Sequence, residues 1–153
     1  MPTRYRGTRD ENRSLDAFIK LMRAADSVYA ELGPALAEEG LTHGQLGVLE
    51  VLLHGGGMCQ RDLAGKVLRS TSNVTTVVDN LERRGLVRRA RRKQDRRVVD
   101  VALTTKGRRV IEHVFPAHAA RIARLLGALS HVEQEELGRL CKKLGIAVQR
   151  QSS

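Results

Sequence analysis

The sequence lacks the features of membrane, secreted and disulfide-stabilised proteins. Its 153 residues contain no apolar run near the roughly 18 residues of a membrane-spanning helix. No charged-then-apolar leader opens the chain, so we expect a cytoplasmic protein. Only two cysteines are present, Cys59 and Cys141, and in a reducing compartment they do not imply a disulfide framework. Cys141 falls in an apolar stripe, where we expect it to pack.

Residues for catalysis, metal binding and ligand stacking are also scarce. Aromatic residues make up 3% of the chain and tryptophan is absent, so a ligand cavity would be lined mainly by Leu, Ile and Val. The glycines at 55–57 are not followed by the Gly-Lys-Ser/Thr of a phosphate-binding loop. The five histidines show no tight metal-ligand spacing, and no nucleophile motif is recognisable. We therefore expect no enzymatic activity, no metal and no cofactor.

Positive charge is abundant and concentrated in one place. Residues 88–97, RRARRKQDRR, hold seven basic side chains and one acid, which is a net +6 of the chain's +10. A concentrated charge indicates a local footprint for nucleic acid, an anionic membrane or an acidic protein. In isolation such a run would more simply be a solvated surface. With 41% apolar residues we expect one folded domain over 1–153, with a polar arm at 1–13.

Amphipathic helices are predicted at both ends of the chain. Apolar residues at helical spacing predict a helix over 14–39, which Gly33-Pro34 should bend or break. A long helix is predicted after Thr104-Thr105, and Pro116 should kink it. Ser130 and Glu133 then form the ends of a capping box that starts a last helix.

Three helices are predicted in the central part of the chain. Thr42 and Gln45 form the ends of a capping box for a helix that should be largely buried. Residues 59–68 predict a short helix, and Ser70 is a suitable N-cap for the next one, over 70–85. The last two form a helix–turn–helix.

The helix over 70–85 has two opposed faces. One is apolar and consists of Val74, Val77, Val78 and Leu81. The other carries Ser72, Thr75, Thr76 and Asp79, and most of its side chains are small and uncharged. A solvated helix face more often carries Lys and Glu, whereas short hydroxyl groups allow close approach to another surface. A plain exposed face remains the alternative.

A β-hairpin follows this helix. Residues 97–103 alternate between two faces as a strand does, and a turn at 93–96 would pair them with the basic run. We predict a mainly α protein with a small β-wing, a winged helix–turn–helix domain with helices at both termini. The second helix of the motif would enter the major groove, and the wing would follow the backbone and place an arginine in the minor groove.

These segments resemble the MarR (multiple-antibiotic-resistance regulator) family of bacterial transcription regulators. The resemblance rests on LTHGQLGVLEVL, CQRDLAGKVLRSTSNVTTVVDNLERRGLVRR and DRRVVDVALTTKG, and it covers about residues 14–145. It implies a homodimer whose interface is formed by the terminal segments 14–39 and 105–150. The winged helix–turn–helix over 42–104 would bind double-stranded DNA at a pseudopalindromic operator.

The resemblance also assigns DNA contacts by position. The positions that match the major-groove face are Ser70, Thr71, Ser72, Asn73, Thr75 and Thr76. Asp95 and Arg97 match the wing pair, in which the arginine enters the minor groove and the aspartate steadies it. Arg92 and Lys93 belong to a group that we expect to neutralise phosphates. The other members of that group are Arg88, Arg89 and Arg91.

A site for an effector is implied as well. In the family, small aromatic or phenolic compounds bind a cleft between the dimerisation helices and the winged domain and release DNA. His43 and His113 belong to the helices that line the cleft, with surface or capping roles as the alternative. Peroxide-sensing members carry a reactive cysteine early in the first helix, and 14–39 has none. Cys59 precedes a helix beside Arg61, which favours a reactive thiolate, and a buried or weakly capping thiol is the alternative.

We predict a homodimeric, ligand-responsive repressor of a nearby gene, released by a small aromatic, phenolic or quinone-like compound. Two alternatives stay open: a sequence-independent, architectural nucleic-acid-binding protein, and a thiol-based redox-sensing regulator that uses Cys59. A non-specific binder would carry charge on its reading face, where this chain carries Ser, Thr and Asn.

Overall fold

Helices dominate the computed structural model of the chain, which describes residues 4–67 and 73–152. In chain order the elements of this described part are α1 Arg9–Glu38, α2 His43–Gly55, β1 Met58–Cys59, α3 Gln60–Lys66, α4 Val74–Arg83, β2 Val87–Arg91, β3 Val99–Leu103, α5 Thr105–Leu126 and α6 His131–Gln151. The predicted mainly α class with a small β-wing is confirmed. Two compact units divide the chain, one over residues 1–118 and one over 119–153.

Helix α1 differs from its prediction in two places, at its first residue and at Pro34. It begins at Arg9, because the Thr8 hydroxyl accepts from the Glu11 amide and the Glu11 carboxylate accepts from the Thr8 amide. The last five residues of the predicted arm at 1–13 are therefore helical. Of the predicted bend or break at Gly33-Pro34, the break does not occur, since the helix continues through Pro34 to Glu38.

Two buried leucines explain why α1 continues past Pro34. Leu32 and Leu36 lie on either side of it with at most 5% of their surface exposed, and they hold the last turns in place. The helix then ends where the sequence predicted. Gly40 adopts φ +73°, a conformation that favours glycine, and the Leu41 amide donates to the Leu36 carbonyl.

The core of the first unit is built around α2. This helix starts at the predicted capping box of Thr42 and Gln45, and its buried residues are Leu46, Val48, Leu49 and Leu52. Burial on more than one face confirms the prediction of a largely enclosed helix. Side chains from α1, α3, α4, α5 and the sheet complete the cluster, chiefly Leu36, Leu63, Val78, Leu81, Val101 and Ile111.

The sheet is antiparallel with the strand order β1-β3-β2. Strands β2 and β3 form the predicted hairpin, with a register that runs from Val87 opposite Leu103 to Arg91 opposite Val99. Strand β1 was not predicted. It has two residues and pairs Met58 with Val101 and Cys59 with Asp100. It joins the start of the helix–turn–helix to the wing.

In the second unit, α6 begins at the predicted capping box of Ser130 and Glu133. None of its residues is buried within the single chain. Its large exposed apolar residues are Val132, Leu137, Leu140, Leu144, Ile146 and Val148. Cys141 is exposed too, so the expected packing of this thiol does not occur within one chain.

The start of α5 is fitted closely against the turn between α4 and β2. The Thr104 hydroxyl donates to the Gly85 carbonyl at 2.6 Å and accepts from the Gly107 amide at 3.0 Å. A side chain at Gly107 would overlap the Leu86 carbonyl oxygen. The backbone there is held in place, because the Thr104 backbone amide donates to the same oxygen at 3.1 Å. The glycine of the L-T-x-x-G motif thus allows α5 to approach the turn between α4 and β2 closely.

Replacing Gly107 by alanine should therefore destabilise the fold. We expect Gly107→Ala to lower the free energy of unfolding by about 1–3 kcal/mol, because either α5 or the α4–β2 turn must move. Urea denaturation measures the loss. Gly65→Ala is the matched control, since a side chain there meets no atom of the described residues within 4 Å. Equal stability of the two variants would contradict the close approach.

Candidate nucleic-acid interface

Helix α4 presents the face that the sequence predicted. Val74, Val78 and Leu81 are buried, whereas Thr75 and Thr76 on the opposite side are exposed. Asn73 occupies the N-cap position, is exposed and makes no capping hydrogen bond through its side chain. The predicted contacts of Ser70, Thr71 and Ser72, and the N-cap expected at Ser70, lie outside the described residues. The described part of α4 therefore exposes a small polar surface near its N-terminus.

A residue that the sequence analysis missed contacts this surface. Gln60, the first residue of α3, donates from Nε2 to the Thr75 Oγ1 at 2.6 Å. Fifteen residues separate the two, and nothing in the local pattern at position 60 points to the contact. Their approach depends on how α3 packs against α4. Gln60 thereby joins the two helices of the helix–turn–helix at the predicted reading face.

Arg89 lies inside this interface and differs from the phosphate-binding group to which it was assigned. Its guanidinium contacts Asp79 Oδ1 at 2.7 Å and Glu82 Oε1 at 3.2 Å, and its backbone amide donates to Glu82 Oε2 at 3.0 Å. Only 22% of its side chain is exposed. It also donates to Gln60 Oε1 at 3.3 Å. Arg89 therefore fastens β2 to α4 and α3, and it stands apart from Arg88, which is exposed.

Arg92 is paired across the hairpin. Its Nη2 and Nε donate to the two carboxylate oxygens of Asp100 at 2.7 and 3.1 Å. The hydrogen bond from Arg92 lowers the pKa of Asp100, and the same bond raises the pKa of Arg92 above its ordinary value. Asp100 therefore holds the Arg92 side chain in one orientation. The predicted phosphate contact of Arg92 stays a prediction.

The wing tip contains the predicted pair of Asp95 and Arg97. The Arg97 Nε and Nη2 donate to the two Asp95 carboxylate oxygens at 3.1 and 3.3 Å, and the Arg97 amide donates to Asp95 Oδ1 at 3.1 Å. The Arg97 side chain is nevertheless 91% exposed. The aspartate thus orients an arginine that remains open to solvent, as the resemblance implied. Lys93 beside it is also exposed, and its phosphate contact stays a prediction.

Cys59 stands at the N-cap position of α3, where the sequence placed it. The thiol is partly buried and makes no capping hydrogen bond. Its backbone pairs with Asp100, so it lies beside the Arg92 ion pair. A redox role for Cys59 stays a prediction.

The two histidines predicted to line an effector cleft have different surroundings. His43 Nε2 contacts the Tyr29 carbonyl oxygen at 2.9 Å, and its ring centre lies 4.4 Å from that of Tyr29. His113 is exposed on α5. A ligand role for either histidine stays a prediction.

A buried histidine was missed by the sequence analysis. His118 is 7% exposed, and its ring centre lies 6.3 Å from that of Phe115, which is 5.8 Å from His54. Phe115 therefore gathers two imidazoles in a chain that is poor in aromatic residues. Across residues 4–67 and 73–152, no group of three His, Cys, Asp or Glu side chains is placed to hold a metal ion. Over the same ranges, none of the helices has the length and apolar character needed to cross a bilayer.

Comparisons with known proteins agree with this architecture. The MarR family model matches residues 41–99. The transcriptional regulator MhqR of Bacillus subtilis is 34% identical over 88% of this chain and 92% of its own. Among solved structures, the MarR family regulator AbsC of Streptomyces coelicolor has a TM-score of 0.81 at 25% identity, covering 95% of this chain and 99% of its own.

A second solved structure is named for its regulation by a small molecule. It is BpsR of Bordetella bronchiseptica, whose DNA binding is described as regulated by 6-hydroxynicotinic acid. It has a TM-score of 0.77 at 25% identity and covers 85% of this chain and 98% of its own.

The wing pair makes a prediction about titration. The hydrogen bonds from Arg97 hold the pKa of Asp95 below its ordinary value. The pair is therefore intact at neutral pH and is lost only as the pH falls through that lowered pKa. Arg97→Ala should raise the pKa of Asp95, as measured by a carbon-13 NMR titration of the carboxyl group.

Arg96→Ala is the matched control, because the Arg96 side chain makes none of the hydrogen bonds that lower the pKa of Asp95. It should leave that pKa in place. An Asp95 pKa that is the same with and without Arg97 would contradict the pairing.

Proposed function

Since the chain belongs to the MarR family of transcriptional regulators, we propose that it is a homodimeric repressor of a nearby gene or operon, acting in the cytoplasm on a pseudopalindromic operator. The observation that carries the proposal is the combination of two exposed features of the first unit. Thr75 and Thr76 form a small polar face on α4, and Arg97 is held open to solvent at the wing tip by Asp95. These groups suit base edges in the major groove and the narrow minor groove.

Dimerisation is supported by apolar surface at both ends of the chain. On α6 the exposed apolar residues include Leu137, Leu140 and Leu144. On α1 they include Phe18, Leu21 and Met22. A stable single chain seldom leaves so many large apolar side chains in water on two helices. We therefore propose that the segments 14–39 and 105–150 bury them in the dimer interface.

Release by a small aromatic, phenolic or quinone-like compound is the second part of the proposal. It is supported by BpsR, whose DNA binding is regulated by a small hydroxylated aromatic acid. Tight binding needs the two α4 helices in successive major grooves, roughly 34 Å apart. A ligand that binds better to a dimer with a different spacing would shift the population away from DNA. We propose that His43 and His113 contact such a ligand.

Competition on the chain's own upstream DNA tests the proposal. We expect an unrelated duplex to displace the protein only at about 1000-fold excess or more at physiological salt. Displacement at equal concentration would leave the sequence-independent, architectural binder in its place. Repeating the assay with phenolic acids, quinones and peroxide tests the trigger. Release by peroxide that is lost in Cys59→Ala would favour the redox-sensing alternative.

Arg97 should contribute strongly to operator affinity. Arg97→Ala removes an arginine that Asp95 holds ready, and we expect operator binding to weaken about tenfold or more, within the 1–3 kcal/mol of one good base contact. Fluorescence anisotropy at physiological salt measures the dissociation constant. Arg13→Ala removes the same charge from an exposed ion pair with Asp10 at the start of α1, outside the proposed dimer segments 14–39 and 105–150. It should leave affinity nearly unchanged, and an equal loss in both variants would argue against wing insertion.

A further inference from the structure

Three side chains form a hydrogen-bonded relay from the wing to the reading face. Arg89 Nη2 donates to Gln60 Oε1 at 3.3 Å, and Gln60 Nε2 donates to Thr75 Oγ1 at 2.6 Å. Arg89 comes from β2, Gln60 from α3 and Thr75 from α4. The relay therefore crosses the three elements that surround the predicted DNA contact.

The chemistry of Arg89 fixes the direction of the relay. A guanidinium has only donors, so the atom of Gln60 that faces it must be the amide oxygen. The amide nitrogen of Gln60 must then face Thr75, and an amide nitrogen can only donate. The Thr75 oxygen consequently accepts. Since an N–H already points at that oxygen, the hydroxyl proton of Thr75 cannot point back toward Gln60.

Two acids on α4 hold the relay in place. Arg89 contacts Asp79 at 2.7 Å and Glu82 at 3.2 Å, one helical turn apart on the helix that carries Thr75. Arg89 therefore cannot turn away from Gln60 without losing two ion pairs in a site where its side chain is 22% exposed. Gln60 is partly buried beside it. Thr75, in contrast, is exposed at the other end.

From this geometry we propose that Gln60 is a specificity-determining residue, which acts by presenting the Thr75 hydroxyl to DNA as a hydrogen-bond donor. The Thr75 hydroxyl keeps its proton and one lone pair for DNA, so a base that offers an acceptor in the major groove is favoured, because any other base leaves the proton without a partner. Such acceptors are the N7 of a purine, the O6 of guanine and the O4 of thymine. Cytosine, which offers its N4 amino group there, is disfavoured. The inference rests on the proposed operator binding, and it adds the class of base that is read.

An isosteric substitution reverses the polarity of the relay. In Gln60→Glu, one carboxylate oxygen still accepts from Arg89, and the other has no proton to donate to Thr75. The Thr75 hydroxyl must then donate to Glu and turn its lone pairs toward DNA. At the operator position that depends on Thr75, we expect the preference to move by about tenfold from acceptor bases toward cytosine or toward the N6 amino group of adenine.

The measurement is a binding selection on duplexes randomised at each operator position. Thr75→Val first identifies the position, because it keeps the shape of the side chain and removes the hydroxyl. Gln60→Glu is then measured in the wild-type and the Thr75→Val backgrounds. The added negative charge weakens binding to every sequence in both backgrounds, whereas the change in base preference should appear only where the hydroxyl is present.

A second variant keeps the inference testable if Gln60→Glu is poorly folded. Gln60→Met has similar length, adds no charge and leaves the Thr75 hydroxyl without its donor. It should relax the preference at the same position without reversing it. An unchanged preference in Gln60→Glu or Gln60→Met, or the same change in the Thr75→Val background, overturns the role of Gln60. A wild-type protein that selects no sequence at all overturns the proposed function instead.

Discussion

The clamp that Arg89 forms with Asp79 and Glu82 determines how the rest of the DNA-binding surface is arranged. It joins the first strand of the wing to the helix that carries the reading face. Each pair on its own would contribute little if fully exposed to water. Here one guanidinium is shared by two carboxylates and an amide while only partly exposed, so it fixes the angle between the two elements more than it adds to stability.

The basic side chains of residues 88–97 fall into two groups. Arg89 and Arg92 face acids on α4 and β3 and stabilise the shape of the wing. Arg88, Lys93 and Arg97 are exposed to solvent. In the proposed complex with DNA, a wing whose shape is fixed beforehand would lose less conformational entropy on binding, and its exposed charges would contribute more of their attraction to affinity. Asp79, Glu82 and Asp100 thus hold two of the arginines in the fold, and the exposed basic side chains are left for the proposed contact with DNA.

Much of this arrangement follows from local sequence patterns. Helices α2, α4 and α6 and the hairpin were predictable, because the spacing of apolar residues and, in α2 and α6, the capping boxes act over a few residues. Strand β1 was not, since two residues carry no periodicity, and it exists only because β3 offers a free edge. Pro34 misled for a related reason: two leucines of the core hold the helix together across it.

The site was predictable in its exposed part and unpredictable in its supporting part. Thr75, Asp95 and Arg97 belong to motifs that can be read along the chain. The roles of Gln60 and Arg89 depend on residues from other elements, and no spacing reveals which arginine in a basic run will meet an acid. The same holds for Arg84, whose side chain donates to the Gly40 carbonyl at 2.8 Å. The two residues lie 44 positions apart in the sequence.

Because Arg89 holds the wing against α4, we expect it to support the preference for the operator over random DNA. The most direct measurement is the ratio of operator to random-duplex affinity in Arg89→Gln, beside Arg88→Gln as a control that removes the same charge from the adjacent, exposed residue. Arg89→Gln should lower this ratio by about tenfold or more, whereas Arg88→Gln should weaken both affinities alike and preserve the ratio. Equal ratios in the two variants would contradict it.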